Sequence, residues 1–228
     1  MRGIRFIVAG VLAIGMVSLA QAQPGGGFGF GGVTGLINNK AVQEDLKVSE
    51  EQGKKLTDWA KEFRAKATEI RKEKMKDVSK EDFQEKNAEA TAAVDTEAYK
   101  ELADVLKKDQ ITRLKQIHRQ QMGLNAFVNA EVAGALKFTD TQKTAVKTAV
   151  TDFEKERREI FADLGFKKGN FDAEKFAEAQ KKVRKIQTDA TDKLVGMLDD
   201  TQKKTWKEML GEAFDLTKLQ PQFGKKKD

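Results

Sequence analysis

The stretch LKVSEEQ at residues 46–52 returns as LKFTDTQ at residues 136–142, 90 positions further along the chain. In both copies an apolar residue precedes Ser or Thr, and Gln stands three residues after the hydroxyl. This spacing is typical of a capping box, in which the hydroxyl accepts from the N3 backbone N–H and the Gln side chain reaches back to the cap residue. We therefore predict two helix starts, capped by Ser49 with Gln52 and by Thr139 with Gln142.

Two further pairs of segments match in the same order. They are LKKDQ (106–110) with LDDTQ (198–202), 92 positions apart, and VSKEDF (78–83) with FDAEKF (171–176), 93 positions apart. Matches in a constant order and at similar spacing indicate an internal duplication. We predict two copies of one helical unit, over 36–123 and 124–216, with chance similarity among charged helices as the alternative.

These outer segments add further predicted helix starts. Asp199 with Gln202 forms a capping box with a carboxylate, which also suits the positive end of a helix. Ser79 and Asp172 are predicted to begin the helix in the middle of each unit. Lys107 occupies the matching place in LKKDQ but has no acceptor, so the helix there either continues or breaks weakly.

Composition and periodicity both favour helices. The 228 residues include only two prolines, Pro24 and Pro221, and the long stretch between them is rich in helix-forming residues. Apolar residues recur at intervals of four and three after the first capping box, at 56, 60, 63, 67 and 70, which forms a narrow seam close to that of a coiled coil. We predict an all-α fold of elongated antiparallel helical hairpins, arranged as two tandem units.

The first 22 residues have the features of a secretory signal peptide. Two arginines precede an apolar run over 6–19, and Ala20-Gln21-Ala22 fits the small-x-small rule of signal peptidase. We expect cleavage before Gln23 and a periplasmic location. An uncleaved membrane anchor is the alternative, but the run is short of the ~20 residues that a span needs.

Both ends of the exported chain are predicted to be tails. Residues 23–35 read QPGGGFGFGGVTG and carry no charge, and backbone entropy predicts a flexible segment there. Residues 217–228 are predicted to be a charged tail beyond the last helix. Removal of residues 1–22 leaves 40 basic and 36 acidic residues, a nearly balanced excess that argues against a nucleic-acid partner.

Composition also argues against catalysis and cofactors. There is no Cys and a single His, which excludes thiolate sites and three-histidine metal sites within one chain. The carboxylates alternate with Lys and Arg as on a solvated helix face, and no Gly loop of the phosphate-binding type is present. We interpret His118 as a packing or surface residue and predict neither an enzyme nor a bound metal or cofactor.

The candidate binding residues are basic clusters and three phenylalanines that fit the apolar seams poorly. Charge would speed the encounter with unfolded chains, and apolar side chains would hold them on a shallow amphiphilic surface. A solvated helix face is the alternative for any single basic cluster. The predicted set is Arg71, Lys72, Phe127, Arg157, Arg158, Phe161, Phe166, Lys181, Lys182, Arg184 and Lys185.

The repeated apolar-Ser/Thr-x-x-Gln element resembles the LTxxQ motif of the Spy/CpxP family of periplasmic helical proteins. It stands here as VSEEQ and FTDTQ, and more loosely as LDDTQ and LKKDQ, and the resemblance covers about 36–216. It implies an ATP-independent chaperone that limits aggregation of unfolded envelope proteins, or a modulator of stress signalling that docks on one folded partner such as a membrane sensor. Related members bind metal through His or Cys, which this chain lacks.

Members of that family form cradle-shaped homodimers with two motifs per chain. Four motif-like sites in one chain suggest that a single chain mimics the dimer, each unit standing for one protomer. We therefore expect either a monomeric pseudo-dimer or a homodimer.

Overall fold

The computed structural model describes residues 32–79, 82–162 and 173–219. Within these ranges the chain is helical and contains no strand, which confirms the all-α prediction. The described α-helices are α1 (Val33–Ile37), α2 (Lys40–Asp45), α3 (Glu50–Lys74), α4 (Phe83–Leu102), α5 (Lys108–Met122), α6 (Ala130–Leu136), α7 (Asp140–Ala162), α8 (Ala173–Gly196) and α9 (Asp200–Leu210). A linker 3-10 helix, Gly123–Val128, follows α5, and a C-terminal 3-10 helix, Leu216–Leu219, follows α9.

Helices α3 and α4 form the first hairpin, and they run antiparallel. Trp59 Nε1 donates to Glu101 Oε2 at 2.9 Å near one end, and Lys66 Nζ bonds Glu97 and Glu101 further along. With 25 residues in α3, the hairpin extends about 37 Å.

Helices α7 and α8 form the second hairpin in the same antiparallel sense. Gln142 Nε2 donates to the Met197 carbonyl at 3.0 Å at one end, and the rings of Phe161 and Phe176 lie 6.0 Å apart at the other.

In the described ranges, no helix combines the length and the apolar character needed to cross a membrane.

Each hairpin belongs to its own apolar core. The first core joins side chains of α1 to α5, with Phe63, Leu102 and Leu114 among its most buried members. The second core joins the linker 3-10 helix with α6 to α9, and its centre includes Leu136 and Trp206. Because each helix buries only one stripe, two small cores stabilise the chain instead of one large one.

The chain crosses between the two cores at both ends of the second unit. After α5, the linker 3-10 helix packs into the second core, whereas after α9 the chain returns and places Phe214 and Leu216 in the first. The Asn39 side chain donates to the Lys218 carbonyl at 3.1 Å and holds this returning segment.

The described termini of the structure differ from the predicted tails. Residues 33–35 lie in α1 and Val33 is fully buried, so the segment 23–35 is not a tail over its last three residues. Residues 217–219 lie in the C-terminal 3-10 helix. Val33, Leu36 and Ile37 are buried against α4 and α5. This burial orders residues 33–37, although the sequence just before them is rich in glycine. The predicted signal peptide, residues 1–22, lies outside the described residues.

The two units meet where α5 caps the carboxyl end of α9. Gln120 Nε2 donates to the carbonyls of Leu210 and Glu212, both at 2.7 Å, and Arg119 Nη1 donates to the Met209 carbonyl at 3.1 Å. These carbonyls belong to the last turn of α9 or follow it, where no helical N–H is available to satisfy them. Side chains of one unit therefore complete a helix of the other.

Helix starts follow the motifs at three of the predicted boxes. Reciprocal bonds join Ser49 with Gln52, Thr139 with Gln142, and Asp199 with Gln202. At Lys107 the backbone is extended and only the glutamine half of the capping box forms, in which Gln110 Oε1 accepts from the Lys107 N–H at 2.8 Å. The helix therefore breaks there rather than continuing.

The starts in the middle of the units are less regular. The Ser79 hydroxyl accepts from the Asp82 N–H at 3.1 Å, but α4 begins at Phe83, so the helix starts later than predicted. Asp172, the corresponding predicted cap of the second unit, lies outside the described residues.

Candidate functional site

The motif glutamines of the first unit bind each other across 58 residues of sequence. Gln52 Nε2 donates to Gln110 Oε1 at 2.8 Å, and Gln110 Nε2 donates to Gln52 Oε1 at 3.2 Å. The same amides also bind main-chain carbonyls, Gln52 that of Val105 and Gln110 that of Leu46. We call this arrangement a glutamine clasp, because it ties the starts of α3 and α5 together.

The second unit contains the same clasp at equivalent positions. Gln142 Nε2 donates to Gln202 Oε1 at 2.8 Å, and Gln202 Nε2 donates to Gln142 Oε1 at 3.0 Å. The carbonyls that they bind, of Met197 and Leu136, match those bound in the first unit. These amides are engaged within the fold, so the clasps are structural elements and leave little capacity to bind a ligand.

Most of the predicted basic residues are exposed on the two hairpins. Lys72 on α3, Arg158 on α7 and Lys181, Lys182 and Lys185 on α8 are exposed, and the last of these pairs with an aspartate, its Nζ lying 2.7 Å from Asp189 Oδ2. Exposed ion pairs of this kind contribute little to stability. These ammonium and guanidinium groups therefore remain accessible to a partner.

The other three basic residues are half-buried. Arg157 Nη2 lies 2.6 Å from Glu154 Oε2 one turn earlier, and Arg71 Nη1 reaches the Thr91 hydroxyl at 3.5 Å. Arg184 is half-buried on α8. Arg71 and Lys72 belong to the first hairpin, and the remaining basic residues of the predicted set belong to the second.

The prediction that Phe127 is an exposed binding residue is wrong. It lies in the linker 3-10 helix, is 1% exposed, and its ring centroid is 4.5 Å from that of Trp206 in the second core. It fits no α-helical seam because it enters the core from a short connecting helix. Phe161 is half-buried beside Phe176, and Phe166 lies outside the described residues.

The second hairpin keeps a half-exposed apolar stripe. In the first hairpin Ala67, Val94 and Ala98 are at most 2% exposed. Their counterparts in the second hairpin are Arg157, Ile186 and Ala190, all half-buried. We define the second-hairpin stripe as the half-buried residues Val150, Ile160, Phe161, Phe176, Val183 and Ile186.

A buried polar chain at the junction of α1, α4 and α5 was not predicted. Asp95 Oδ1 accepts from the Val33 N–H at 3.0 Å, Asp95 Oδ2 lies 3.5 Å from His118 Nε2, and His118 Nδ1 lies 3.1 Å from the Tyr99 hydroxyl. His118 is buried, in agreement with its interpretation as a packing residue, but it also has two polar partners. The available signal was the Asp95–Tyr99 pair, one turn apart on a helix whose neighbours contain the single histidine.

Burial governs the protonation of this chain. It raises the pKa of Asp95 to about 6 and, together with the charge of Arg119, lowers the pKa of His118 to about 4. Burial also raises the pKa of Tyr99, which stays a phenol. At neutral pH Asp95 is therefore a carboxylate that accepts the Val33 N–H, and His118 is a neutral imidazole whose Nδ1 is hydrogen-bonded with the Tyr99 hydroxyl.

The described residues contain no group of side chains that forms a metal centre. No three His, Cys, Asp or Glu residues in these ranges are placed to hold a metal ion. An open depression at the tip of the first hairpin is lined by charges of both signs, including Glu73, Lys74, Asp77, Asp82 and Lys86. Its openness to water is unlike the enclosed, largely apolar clefts that bind small molecules.

Comparison with known proteins adds no relative. No protein-family model matches the chain, and no curated protein and no solved structure matches it. The resemblance to the Spy/CpxP family therefore depends on the four motif-like segments.

Proposed function

We propose that this protein is an exported, ATP-independent holdase that binds unfolded or partly folded envelope proteins. The observation that supports the proposal is the second-hairpin stripe. Its six apolar side chains are only half-buried, and one of them, Ile186, replaces Val94 of the first hairpin, which is 2% exposed. Exposed apolar surface of this kind is typical of protein-binding sites.

Cations next to the stripe fit this role. Lys182 precedes Val183, Lys185 precedes Ile186, and Arg158 lies less than one turn from Phe161. Long-range attraction would raise the rate of encounter with acidic or partly unfolded chains, and the apolar stripe would slow their release. No nucleotide is needed for binding of this type.

A second candidate is docking on one folded envelope partner, such as a stress sensor. It is favoured by the small number of exposed large apolar residues in the described ranges, namely Phe83, Val128 and Met197. A sparse apolar surface suits a defined partner better than many unrelated clients. Under either proposal, the contact of α5 with α9 within one chain supports a single-chain pseudo-dimer as the binding unit.

An aggregation assay with stripe variants tests the proposal. Wild-type protein should suppress aggregation of several unrelated unfolding proteins at near-stoichiometric amounts without nucleotide. The double variant Val183→Thr/Ile186→Thr should lose roughly tenfold in client affinity, because two half-buried alkyl groups become partly polar. Val183→Thr introduces the residue that stands at the equivalent position of the first hairpin, Thr91, so the hairpin is expected to fold.

The reverse change in the first hairpin, Thr91→Val, is the matched control and should leave client capture unchanged. Replacing Lys181, Lys182, Arg184 and Lys185 with Gln should slow capture and reduce its dependence on salt. Failure of the wild type to protect unrelated proteins, together with recovery of one partner from an envelope extract, would support the docking alternative instead.

A further inference from the structure

The polar chain formed by Val33, Asp95, His118 and Tyr99 is continuous and enclosed. Asp95 is 9% exposed and His118 is 7% exposed, and their polar side-chain atoms lie within 3.5 Å of the Val33 N–H, of each other and of the Tyr99 hydroxyl. Two hydrogen bonds, from the Val33 N–H to Asp95 and between His118 and the Tyr99 hydroxyl, are joined by a 3.5 Å contact between Asp95 Oδ2 and His118 Nε2.

The start of α1 depends on this chain. The Asp95 carboxylate accepts the Val33 N–H, one of the donors that a helix start leaves without a main-chain partner. Gly32 has φ +71°, and a Cβ atom at that position would lie 2.5 Å from Asp95 Oδ1. The carboxyl group is thus in direct contact with the main chain where α1 begins, and Val33, Leu36 and Ile37 follow into the first core.

The charged groups around the chain come from three neighbouring helices. Arg71 of α3 acts on Asp95, Arg119 of α5 acts on His118 and Tyr99, and Glu131 of α6 acts on Tyr99. Lys115 of α5 lies above the Tyr99 ring, its Nζ 5.3 Å from the centroid. Helix α1, with the sequence VTGLI, contributes no titratable side chain.

We propose that Asp95, His118 and Tyr99 form a reversible hydrogen-bond relay that keeps the start of α1 docked while the buried group takes up one proton. On acidification the added proton binds His118 Nδ1, the Nε2 proton passes to Asp95 Oδ2, and the Tyr99 hydroxyl changes from donor to acceptor. Oδ1 accepts from the Val33 N–H in both states, because the transferred proton resides on Oδ2.

The relay avoids a buried imidazolium. Burial disfavours charge on both partners, since it raises the pKa of Asp95 to about 6 and lowers that of His118 to about 4. In the neutral carboxylic acid and imidazole pair neither group is charged. The bond from the Val33 N–H is kept unchanged, and only the two links to the imidazole ring reverse direction. Acid therefore changes the bonding pattern without releasing the segment.

Nuclear magnetic resonance can follow the proton directly, because His118 is the single histidine of the 228-residue chain. The ring ¹⁵N and ¹³C shifts should change between pH 7.5 and pH 4.5 from the Nε2–H to the Nδ1–H tautomer. Amide exchange of Val33 and Leu36 should stay slow over the same range. An imidazolium that forms near pH 6, an unchanged tautomer, or loss of protection in α1 would each overturn the proposal.

Asp95→Asn provides a variant that mimics the protonated state. Its Oδ1 can still accept from Val33, and its Nδ2 donates to Nε2, so His118 should be held as the Nδ1–H tautomer already at pH 7.5. The control is Asp189→Asn, which makes the same substitution at an exposed, ion-paired aspartate and should leave the His118 tautomer unchanged.

His118→Leu tests the chain through the docked segment. Leu stands at the equivalent position of the second unit, as Leu210, so the change suits an α-helix of this repeat. Above pH 6 the variant leaves the Asp95 carboxylate without its imidazole donor, and Val33 amide exchange should rise roughly tenfold. Unchanged exchange in a folded His118→Leu protein would show that the relay does not hold α1.

Discussion

The two units share the same glutamine clasp but differ at the junction that holds their first short helix. In the first unit this junction contains Asp95, Tyr99 and His118, whereas the equivalent positions of the second unit are Gln187, Thr191 and Leu210. The second unit begins instead with the linker 3-10 helix, which inserts the Phe127 ring beside Trp206. The repeat thus preserves the links between helix starts and varies what fills the space between them.

The hairpins differ in the same way. Ala67 is closed against its partner helix in the first hairpin, whereas its counterpart Arg157 is half-buried and paired with Glu154. Small residues allow helices to approach closely, and a long charged side chain at the same place keeps part of the stripe open. At this position the two hairpins therefore differ in packing: the first is closed by a small residue and the second is kept partly open by a charged one.

The largest expected effect comes from separating Asp95 from His118 by mutation. The raised pKa of Asp95 favours the folded state below its unfolded pKa of 3.8, and this contribution is lost as pH rises through about 6. The lowered pKa of His118 favours the folded state above 6.5, and this contribution is lost as pH falls through about 4. In the wild type the two nearly offset each other, so stability should stay almost level between pH 7 and pH 4.

Single variants should expose the two slopes. His118→Leu leaves Asp95 alone, and its free energy of unfolding should rise by about 3 kcal/mol as pH falls from 7 to 4. Asp95→Asn leaves His118 alone, and its free energy of unfolding should fall by a similar amount. Urea unfolding at several pH values measures both, relative to wild type. If the free energies of unfolding of the two variants changed with pH in the same direction, the two contributions could not offset each other in the wild type.

How far the sequence could predict the molecule depends on the range of each interaction. The capping boxes were predictable because Ser49 and Gln52 are three residues apart and act within one turn. The clasp was not, because Gln52 meets Gln110 only after α3 and α4 have folded back. Phe127 was misassigned for the same reason, since the core that receives it is formed by residues up to Trp206. The polar chain likewise joins three helices, and in the sequence it was visible only as the Asp95–Tyr99 pair and the single histidine.

The clasps allow a direct test of whether the two units are equivalent. Gln110→Ala removes a side chain with five hydrogen bonds and Gln202→Ala removes one with four, and each change takes these bonds from main-chain carbonyls and from the partner amide. Each change should lower the free energy of unfolding by roughly 2 kcal/mol. Because the two clasps lie in separate units, the double variant should show the sum of both costs.

Urea unfolding again provides the measurement, and the shared slope of the transitions checks that both variants unfold in the same way. Gln121→Ala, on the same helix as Gln110 but outside the clasp, is the control and should cost less. A cost at Gln110 that exceeds the cost at Gln202 by more than about 1 kcal/mol would mean that the two clasps are not equivalent.

The smallest effect concerns two lysines at matching turns. Lys47 has φ 52° and Lys137 has φ 48°, at the ends of α2 and α6, in the left-handed region that L-residues adopt at a cost. Lys47→Gly and Lys137→Gly should each raise the free energy of unfolding by about 0.5 kcal/mol, since relief of this strain exceeds the added freedom of the unfolded chain. Asp77, with φ 55° at the tip of the first hairpin, is the control, because Asp tolerates this conformation better and Asp77→Gly should gain less. Equal shifts of the urea midpoint for Lys47→Gly and Lys137→Gly would show that the two turns are equivalent. A loss of stability in one variant would show that its lysine side chain stabilises the fold in a way that glycine removes.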